Sequence, residues 1–237
     1  MIIVSPHLDD GVFSCGRLLA ANPGATLLTV FAAAPEHHRP LAPWDAKVGF
    51  TSSRDAVLTR RMEDERACEV LGASPVWLDA LDRQYQPARR DGFLGRNWSR
   101  VKSRYWLSQR DAGVARQLQV AFGVHGLSHI VVPLGIGHPD HVRVAELCRQ
   151  AATALRVECV TVYAELPYGD HHPEKAEAAV RSWQRLGWSL TSHQPRLGSG
   201  PAKAAAVACY QSQHEHFPPE VIAAGETYWT ATAPRGA

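Results

Sequence analysis

Two short runs of histidine and aspartate have the residue types and the placement expected of a metal-dependent hydrolytic site. The first, residues 5–10 (SPHLDD), directly follows the apolar run 1–4. The second, residues 137–141 (GHPDH), comes shortly after the apolar run 129–133. Imidazole and carboxylate groups are preferred zinc ligands, and a hydrolytic zinc site takes three of them while leaving a position open for water. The two runs therefore predict a metal-dependent hydrolase.

The spacing within each run suggests a division of roles. Asp9 and Asp10 are adjacent, so their carboxylates point in different directions and one can bind metal while the other acts as a base. His138 and His141 lie near the start of a predicted helix, which can place one imidazole on the metal and the other facing the substrate. A simple capping turn, with an aspartate serving a helix N-terminus, is the alternative for the first run. The presence of both runs at strand ends favours the metal site.

The elements that would position these runs alternate between strand and helix. Continuous apolar runs predict buried parallel strands, and amphipathic segments ending at glycine or starting near proline predict helices. The predicted strands are 1–4, 25–32, 75–78, 129–133 and 157–164, and the predicted helices are 11–21, 56–71, 112–122, 141–155, 174–186 and 202–213. Repeated βα units predict an α/β, Rossmann-like three-layer fold with a mostly parallel sheet, in which ligands bind at the carboxyl ends of the strands.

The chain length of 237 residues is that of one domain, which we expect to span residues 1–237. An insertion at 82–110 interrupts the pattern and interleaves basic with aromatic residues. Long insertions beside strand ends often cover a site, so the insertion is predicted to be a substrate lid. A solvated loop, or a contact surface for single-stranded nucleic acid, is the alternative.

Composition excludes several classes of protein. A net charge of +2 gives no general electrostatic case for binding nucleic acid or membranes. Five cysteines, scattered and odd in number, indicate a reducing compartment rather than a disulfide framework. The start of the chain lacks the basic and long apolar regions of a signal peptide, and no segment approaches the roughly 20 apolar residues of a membrane span. These features predict a cytoplasmic protein.

The same two runs resemble the signatures of the PIG-L/LmbE-like family of zinc-dependent de-N-acetylases, which remove acyl groups from amino sugars. That family carries His-Pro-Asp-Asp near its N-terminus and a later His-Pro-Asp-His. Residues 6–10 (PHLDD) match the first with Leu8 in place of proline, and residues 138–141 (HPDH) match the second. Residues 60–72 are similar to the family's helix after the second strand, and residues 203–213 to its late Lys…Ser-Gln helix.

The resemblance implies a role for each signature residue. The implied ligands of one zinc ion per chain are His7, Asp10 and His141, although the same donors suit other divalent transition metals. Asp9 is implied as the general base that takes a proton from water. His138, oriented by Asp140, is implied to stabilise the oxyanion and protonate the leaving amine. A carboxylate close to His138 would raise the pKa of that imidazole.

Two further positions bear on the pocket. Arg60 resembles a substrate-contacting arginine of the family, and the alternative is an exposed helix charge paired with a nearby acidic residue, Glu63 or Asp64. Several family members carry a tyrosine two residues before the second signature, where this chain has Ile136. In those members the tyrosine can assist the tetrahedral intermediate. In this chain, either the metal and His138 stabilise that intermediate alone, or a tyrosine from elsewhere assists. The candidates are Tyr85 and Tyr168.

Taken together, the sequence predicts a zinc-dependent hydrolase that removes an N-acetyl or other N-acyl group from an amino-sugar conjugate, such as an N-acetylglucosaminyl compound. The expected partner is a small molecule, with no nucleic acid and no membrane span. A metal-dependent phosphoesterase and a non-catalytic sugar-binding or metal-binding module are the alternatives. The aglycone, the acyl length, the pathway and the question of a homo-oligomer stay open.

Overall fold

The computed structural model describes residues 1–37, 39–86, 111–124, 129–213, 216–217 and 225–234, apart from the side chains of residues 170 and 171. Most of the insertion at 82–110, which was predicted to be a lid, lies outside the described residues. Within the described part of the chain, no helix has the length and apolar character needed to cross a membrane.

Among the described residues, seven strands form one sheet with the order β3-β2-β1-β4-β5-β7-β6. The strands are β1 (Ile2–Ser5), β2 (Thr26–Thr29), β3 (Ser74–Trp77), β4 (Ile130–Pro133), β5 (Cys159–Tyr163), β6 (Ser189–His193) and β7 (Tyr228–Thr232). The pairs β1·β2, β2·β3, β1·β4 and β4·β5 are parallel, and β7 runs antiparallel to both of its neighbours. The prediction of an α/β fold with a mostly parallel sheet is confirmed.

Helices follow most of the strands. They are α1 (Asp10–Ala20), α2 (Pro43–Lys47), α3 (Ser53–Leu71), α4 (111–124), α5 (Pro139–Ala154), α6 (Tyr168–His171), α7 (Pro173–Arg185) and α8 (Gly200–Val207). The helix α3 has clear end signals, because the Ser52 hydroxyl accepts the backbone N–H of Asp55 and Gly72 ends the helix at φ 67°. The predicted extension of α8 to residue 213 is wrong, since the N–H and hydroxyl of Ser212 donate to Glu63 instead of continuing the helix.

The two faces of the sheet carry separate cores, which gives three layers. Ile2 and Val4 of β1 pack in one core, whereas Ile3 of the same strand packs in the other. Side chains alternate between faces along a strand, so a strand that is apolar throughout must be covered on both sides. The predicted buried strands are confirmed for β1, β2 and β4, whereas β3, at the edge of the sheet, is partly exposed.

The strand order fixes where the two signature runs meet. On one side of β1 the sheet continues with β2 and then β3. On the other side of β1 it continues with β4 and then β5. The connection therefore changes direction between β1 and β4, and in such sheets ligands bind beyond the carboxyl ends of the strands at that point. Residues 5–10 follow β1 and residues 134–141 follow β4, so both runs lie at this crevice.

Candidate active site and metal centre

The turn that follows β1 holds Asp9 in an uncommon backbone conformation, with φ 129° and ψ −45°. Conformations of this kind cost about 1–3 kcal/mol in a residue other than glycine and are concentrated at functional sites. Asp9 occupies the N-cap position of α1 but makes no side-chain capping bond. The carboxylate of Asp10 accepts the backbone N–H of His7 at 3.0 Å. The capping alternative therefore does not describe this turn.

The second run lies at the start of α5. Pro139 occupies the first turn of the helix, and His138 is the N-cap, with Nδ1 accepting the backbone N–H of Asp140 at 3.2 Å. Gly135 has φ 93°, and a Cβ atom there would lie 3.0 Å from the Cβ of Ala145. The turn after β4 thus needs glycine both for its conformation and for the close approach of the helix.

The three residues predicted as metal ligands lie together. The Asp10 Oδ2 atom is 3.0 Å from His7 Nδ1 and 3.0 Å from His141 Nε2. The rings of His7, His138 and His141 each offer a nitrogen, and these atoms lie within 4.8 Å of one another. A second group within the same limit consists of His7, Asp82 and Asp140. Side chains that could hold a metal ion therefore converge from distant parts of the chain.

The electrostatics of this point favour a cation. His7 Nε2 is buried without a hydrogen-bond partner, and the nearest carboxylate oxygens, of Asp140 and Asp82, are 3.6 and 3.8 Å away. Burial alone would lower the pKa of His7, but the hydrogen bond to Asp10 and the nearby carboxylates of Asp140 and Asp82 raise it well above its ordinary value. Burial would raise the pKa of Asp10, but the imidazoles of His141 and His7 hold it far below its usual range. Donor chemistry and charge both fit a divalent metal.

Glu165 completes the surroundings of His141 and was not identified from the sequence. Its Oε1 accepts the backbone N–H groups of Gly135 and Ile136 at 2.8 and 3.1 Å and lies 3.5 Å from His141 Nδ1. A carboxylate placed behind a metal-binding histidine fixes the orientation of the ring. Burial raises the pKa of Glu165 to about 7, although His141 opposes this. Its position in the sequence could have identified Glu165 as a site residue, because it follows the end of β5, the strand next to β4.

Arg60 is buried beside Asp9 rather than exposed on its helix. Its Nη2 donates to Asp9 Oδ2 at 3.0 Å and to the backbone carbonyl of Leu8 at 2.8 Å. The alternative of an exposed charge paired with Glu63 or Asp64 is therefore wrong, and Arg60 is only 7% exposed. Burial raises the pKa of Asp9 to about 7, while the Arg60 guanidinium counteracts part of that rise.

Asp140 raises the pKa of His138 as expected, but other groups reverse the net shift. The pKa of His138 is lowered, because burial and the neighbouring His7 and His141 outweigh the attraction of Asp140. The Asp140 carboxylate accepts the backbone N–H of Arg83 at 3.2 Å and faces His7, and only its backbone N–H bonds to His138. Since Nδ1 of His138 accepts that bond, the neutral ring carries its proton on Nε2.

The two tyrosines considered for the position of Ile136 have different surroundings. Tyr168 lines the cavity at the site, and its ring packs edge to face on His141 with centroids 4.9 Å apart. Tyr85 is 5% exposed, and its hydroxyl donates to Asp45 at 3.2 Å. Of the two, Tyr168 alone is among the residues lining the cavity.

The cavity over these residues has a volume of about 460 Å³. Its lining combines the signature residues with side chains outside the two signatures. The latter are Trp44, Asp82, Gln84, Gln213 and Phe217. They come from three separate parts of the chain, so their convergence could not be read from sequence spacing.

Residues 2–152 match the family model described as PIG-L: GlcNAc-PI de-N-acetylase. A curated relative, the 2'-N-acetylparomamine deacetylase of Streptomyces fradiae, is 29% identical over 201 residues, which cover 78% of this chain and 63% of the relative. The match thus spans less than two thirds of that protein.

Solved structures share the fold over the whole chain. A deacetylase triple mutant from the teicoplanin biosynthetic pathway superimposes with a TM-score of 0.73 at 22% identity, covering 100% of this chain and 99% of that one. The 4-carboxy-2-hydroxymuconate hydratase GalB from Pseudomonas putida KT2440 superimposes with a TM-score of 0.59 at 16% identity, covering 100% and 97%. The same fold therefore carries more than one chemistry, and the site has to decide the function.

Proposed function

Because the chain belongs to the PIG-L family of de-N-acetylases, we propose that it is a zinc-dependent hydrolase that removes an N-acetyl or other N-acyl group from an amino-sugar conjugate. The observation that carries the proposal is the pairing, in one cavity, of a cation-favouring cluster with a separate buried carboxylate. The cluster is formed by His7, Asp10 and His141. The carboxylate is that of Asp9, which is held by Arg60. A hydrolase needs both groups, whereas a purely binding module has no use for the second.

Zinc is the metal that the donor set fits best. Two imidazoles and one carboxylate, those of His7, His141 and Asp10, are the ligand types of hydrolytic zinc sites. When bound, the ion would supply a Lewis acid that polarises the amide carbonyl and makes water more acidic. Glu165 would keep the His141 ring oriented for binding, as carboxylates behind metal-binding histidines do.

The residues of the chain account for the proton transfers. Asp9 accepts a proton from the attacking water, and a pKa raised by burial to about 7 suits a base that works near neutral pH. Arg60 holds the Asp9 carboxylate in place through the 3.0 Å contact. His138 presents Nε2–H to the carbonyl oxygen as negative charge develops there. The proton that Asp9 has taken up then passes to the leaving amine, which restores the Asp9 carboxylate and leaves the neutral His138 ring with its own proton.

The substrate assignment is tested by product analysis. The zinc-loaded protein would be incubated with a panel of N-acetylglucosamine conjugates, and we expect release of acetate together with the free amine, detected by mass spectrometry. The absence of both products across a panel with varied aglycones and acyl lengths would contradict the proposal. The number of metal ions bound per chain, measured on the same sample, would distinguish the proposed deacetylase from a phosphoesterase, which usually requires two metal ions.

We expect the Tyr168 hydroxyl to assist the tetrahedral intermediate, as the family tyrosine at the position of Ile136 can do in other members. Tyr168→Phe should lower kcat by roughly tenfold, the value of one hydrogen bond to a charged group, with KM little changed. The matched control is Tyr85→Phe, which removes a hydroxyl bonded to Asp45 and outside the cavity lining. Equal kcat values for the two variants would show that the metal and His138 suffice without a tyrosine.

Two wider assignments belong to the same proposal. We place the protein in the cytoplasm, supported by five free cysteines, of which Cys15, Cys68 and Cys148 are buried.

We also propose that the whole chain forms one domain in which residues 82–110 cover the cavity. Arg83, at the start of that segment, lines the cavity and supports this placement.

A further inference from the structure

One part of the catalytic cavity is built from aromatic rings rather than from charged groups. Trp44 and Phe217 line the same cavity as His7 and Asp9. Their ring centroids are 6.1 Å apart at an interplanar angle of 40°, so the two rings form a bent apolar surface, here called the apolar corner. Phe217 is supported from behind by Phe13, whose ring lies edge to face at 5.8 Å.

A chain of hydrogen bonds holds the indole of Trp44 in position. Trp44 Nε1 donates to Gln213 Oε1 at 3.2 Å, and Gln213 Nε2 donates to Ser212 Oγ at 3.1 Å. The Ser212 hydroxyl in turn donates to Glu63 at 2.6 Å, and its backbone N–H donates to the same carboxylate at 2.8 Å. Because the hydroxyl proton is committed to Glu63, Ser212 Oγ can only accept from Gln213. The amide of Gln213 must therefore present its oxygen to the indole.

The indole is thus oriented in advance by buried groups. Gln213 is 1% exposed and Glu63 is 4% exposed, so the bonds that orient the ring are shielded from water. Lys47 places its ammonium 4.9 Å from the ring centroid, which adds a further restraint. A ring fixed before binding loses little conformational entropy when a ligand packs on it. The ring lies on α2, a helix of only five residues, so its hydrogen bond to Gln213, outside the helix, fixes its orientation.

The rest of the cavity suits the polar part of the substrate. Asp9, Asp82, Gln84 and His138 offer hydrogen-bonding groups to sugar hydroxyls and to the reacting amide. Tyr168 lines the cavity and packs against the imidazole of His141, so it offers an apolar surface next to the reacting centre. A short acyl group attached to the reacting carbon would lie there. The apolar corner is then left for a group beyond the amino sugar.

We infer that Trp44 and Phe217 determine specificity by receiving an apolar, preferably aromatic, aglycone of the amino-sugar substrate. The inference rests on the proposed function, since it assigns the part of the substrate that is not deacetylated. Aromatic contacts contribute about 0.5–1.5 kcal/mol beyond the area they bury. A preference for aryl over alkyl glycosides is the expected consequence.

The test compares phenyl and methyl β-glycosides of N-acetylglucosamine, which differ only in the aglycone. For Trp44→Ala we expect KM for the phenyl glycoside to rise about tenfold, with kcat unchanged and with little change for the methyl glycoside. Trp44→Phe, which keeps an apolar ring, should retain most of the preference. The matched control is Trp77→Phe. The indole N–H of Trp77 also donates a hydrogen bond, to Asp64, and the Arg61 guanidinium lies over its ring. Trp77 does not line the cavity.

Binding measured by titration calorimetry keeps this inference separable from the proposed function. If the protein deacetylates neither these glycosides nor any member of the wider substrate panel, the proposed function fails, and a Trp44-dependent preference in binding would still support the apolar corner. If Trp44→Ala weakens both glycosides equally, the inference is overturned while the function stands. A third substrate, the methyl glycoside with an N-hexanoyl group, tests whether the apolar corner receives the acyl chain instead of the aglycone. Loss confined to that substrate would assign the corner to the acyl chain and overturn the aglycone assignment.

Discussion

Asp9→Asn is expected to lower turnover by at least roughly 10²-fold while leaving the metal and the fold in place. General-base catalysis contributes on that scale, and asparagine keeps the shape of the side chain but cannot take up a proton at the site. Metal should be retained because the ligands we assign are His7, Asp10 and His141, with Asp9 bonded instead to Arg60. The measurements are kcat for amide hydrolysis, zinc content by elemental analysis, and circular dichroism.

The control for this variant is Asp79→Asn, which makes the same change at an exposed carboxylate that does not line the cavity. Its turnover should equal that of the unmodified protein. Near-normal turnover of Asp9→Asn with full metal occupancy would remove Asp9 from the mechanism. Loss of metal in Asp9→Asn would instead show that Asp9 is a ligand.

His141→Ala is expected to lose most of the bound zinc, and with it the activity. His141 is fully buried, with Nε2 3.0 Å from Asp10 Oδ2, so no other group can enter its position without rearrangement. A ligand at 100 times its dissociation constant stabilises a protein by about 2.7 kcal/mol. Zinc should therefore raise the Tm of the unmodified protein, a chelator should reverse the increase, and neither should affect the variant.

Because alanine leaves a cavity beside the buried Glu165, His141→Gln is the second variant, and circular dichroism establishes which of the two folds. The control is His129→Ala, which removes an exposed imidazole next to the start of β4, at the opposite end of that strand. Undiminished zinc in a folded His141 variant would show that the ligand assignment is wrong.

The sequence predicted those parts of the fold that depend on local pattern. The strands β1 and β4 could be read from continuous apolar runs, and their carboxyl ends placed residues 5–10 and 137–141 in one crevice. The family resemblance drawn from those two runs is confirmed. The strands β6 and β7 were missed because SLTSH and YWTAT mix polar with apolar residues and are half exposed, so neither shows a buried-strand pattern.

The site was predictable where its residues follow a strand directly and unpredictable where long-range packing decides. Arg60 illustrates the second case. Arg60 was named, but its burial against Asp9 follows from how α3 packs beside α1, which no local pattern reports. The lowered pKa of His138 was missed for a similar reason, since the other two imidazoles contribute only once the cluster has formed.

The position of β7 within the sheet has a consequence for the order in which the protein can be completed during synthesis. The last strand along the chain inserts between β5 and β6, and Glu226, just before it, accepts the backbone N–H groups of Arg17 and Leu18 in α1. A nascent chain that has not yet released residues 226–232 from the ribosome therefore presents β5 as an unpaired edge, and such edges invite association between chains. The helix α1 would also lack its two hydrogen bonds to Glu226 until the same residues emerge. Ribosome-stalled chains ending before residue 226 should therefore aggregate more readily than chains stalled after residue 232 has emerged.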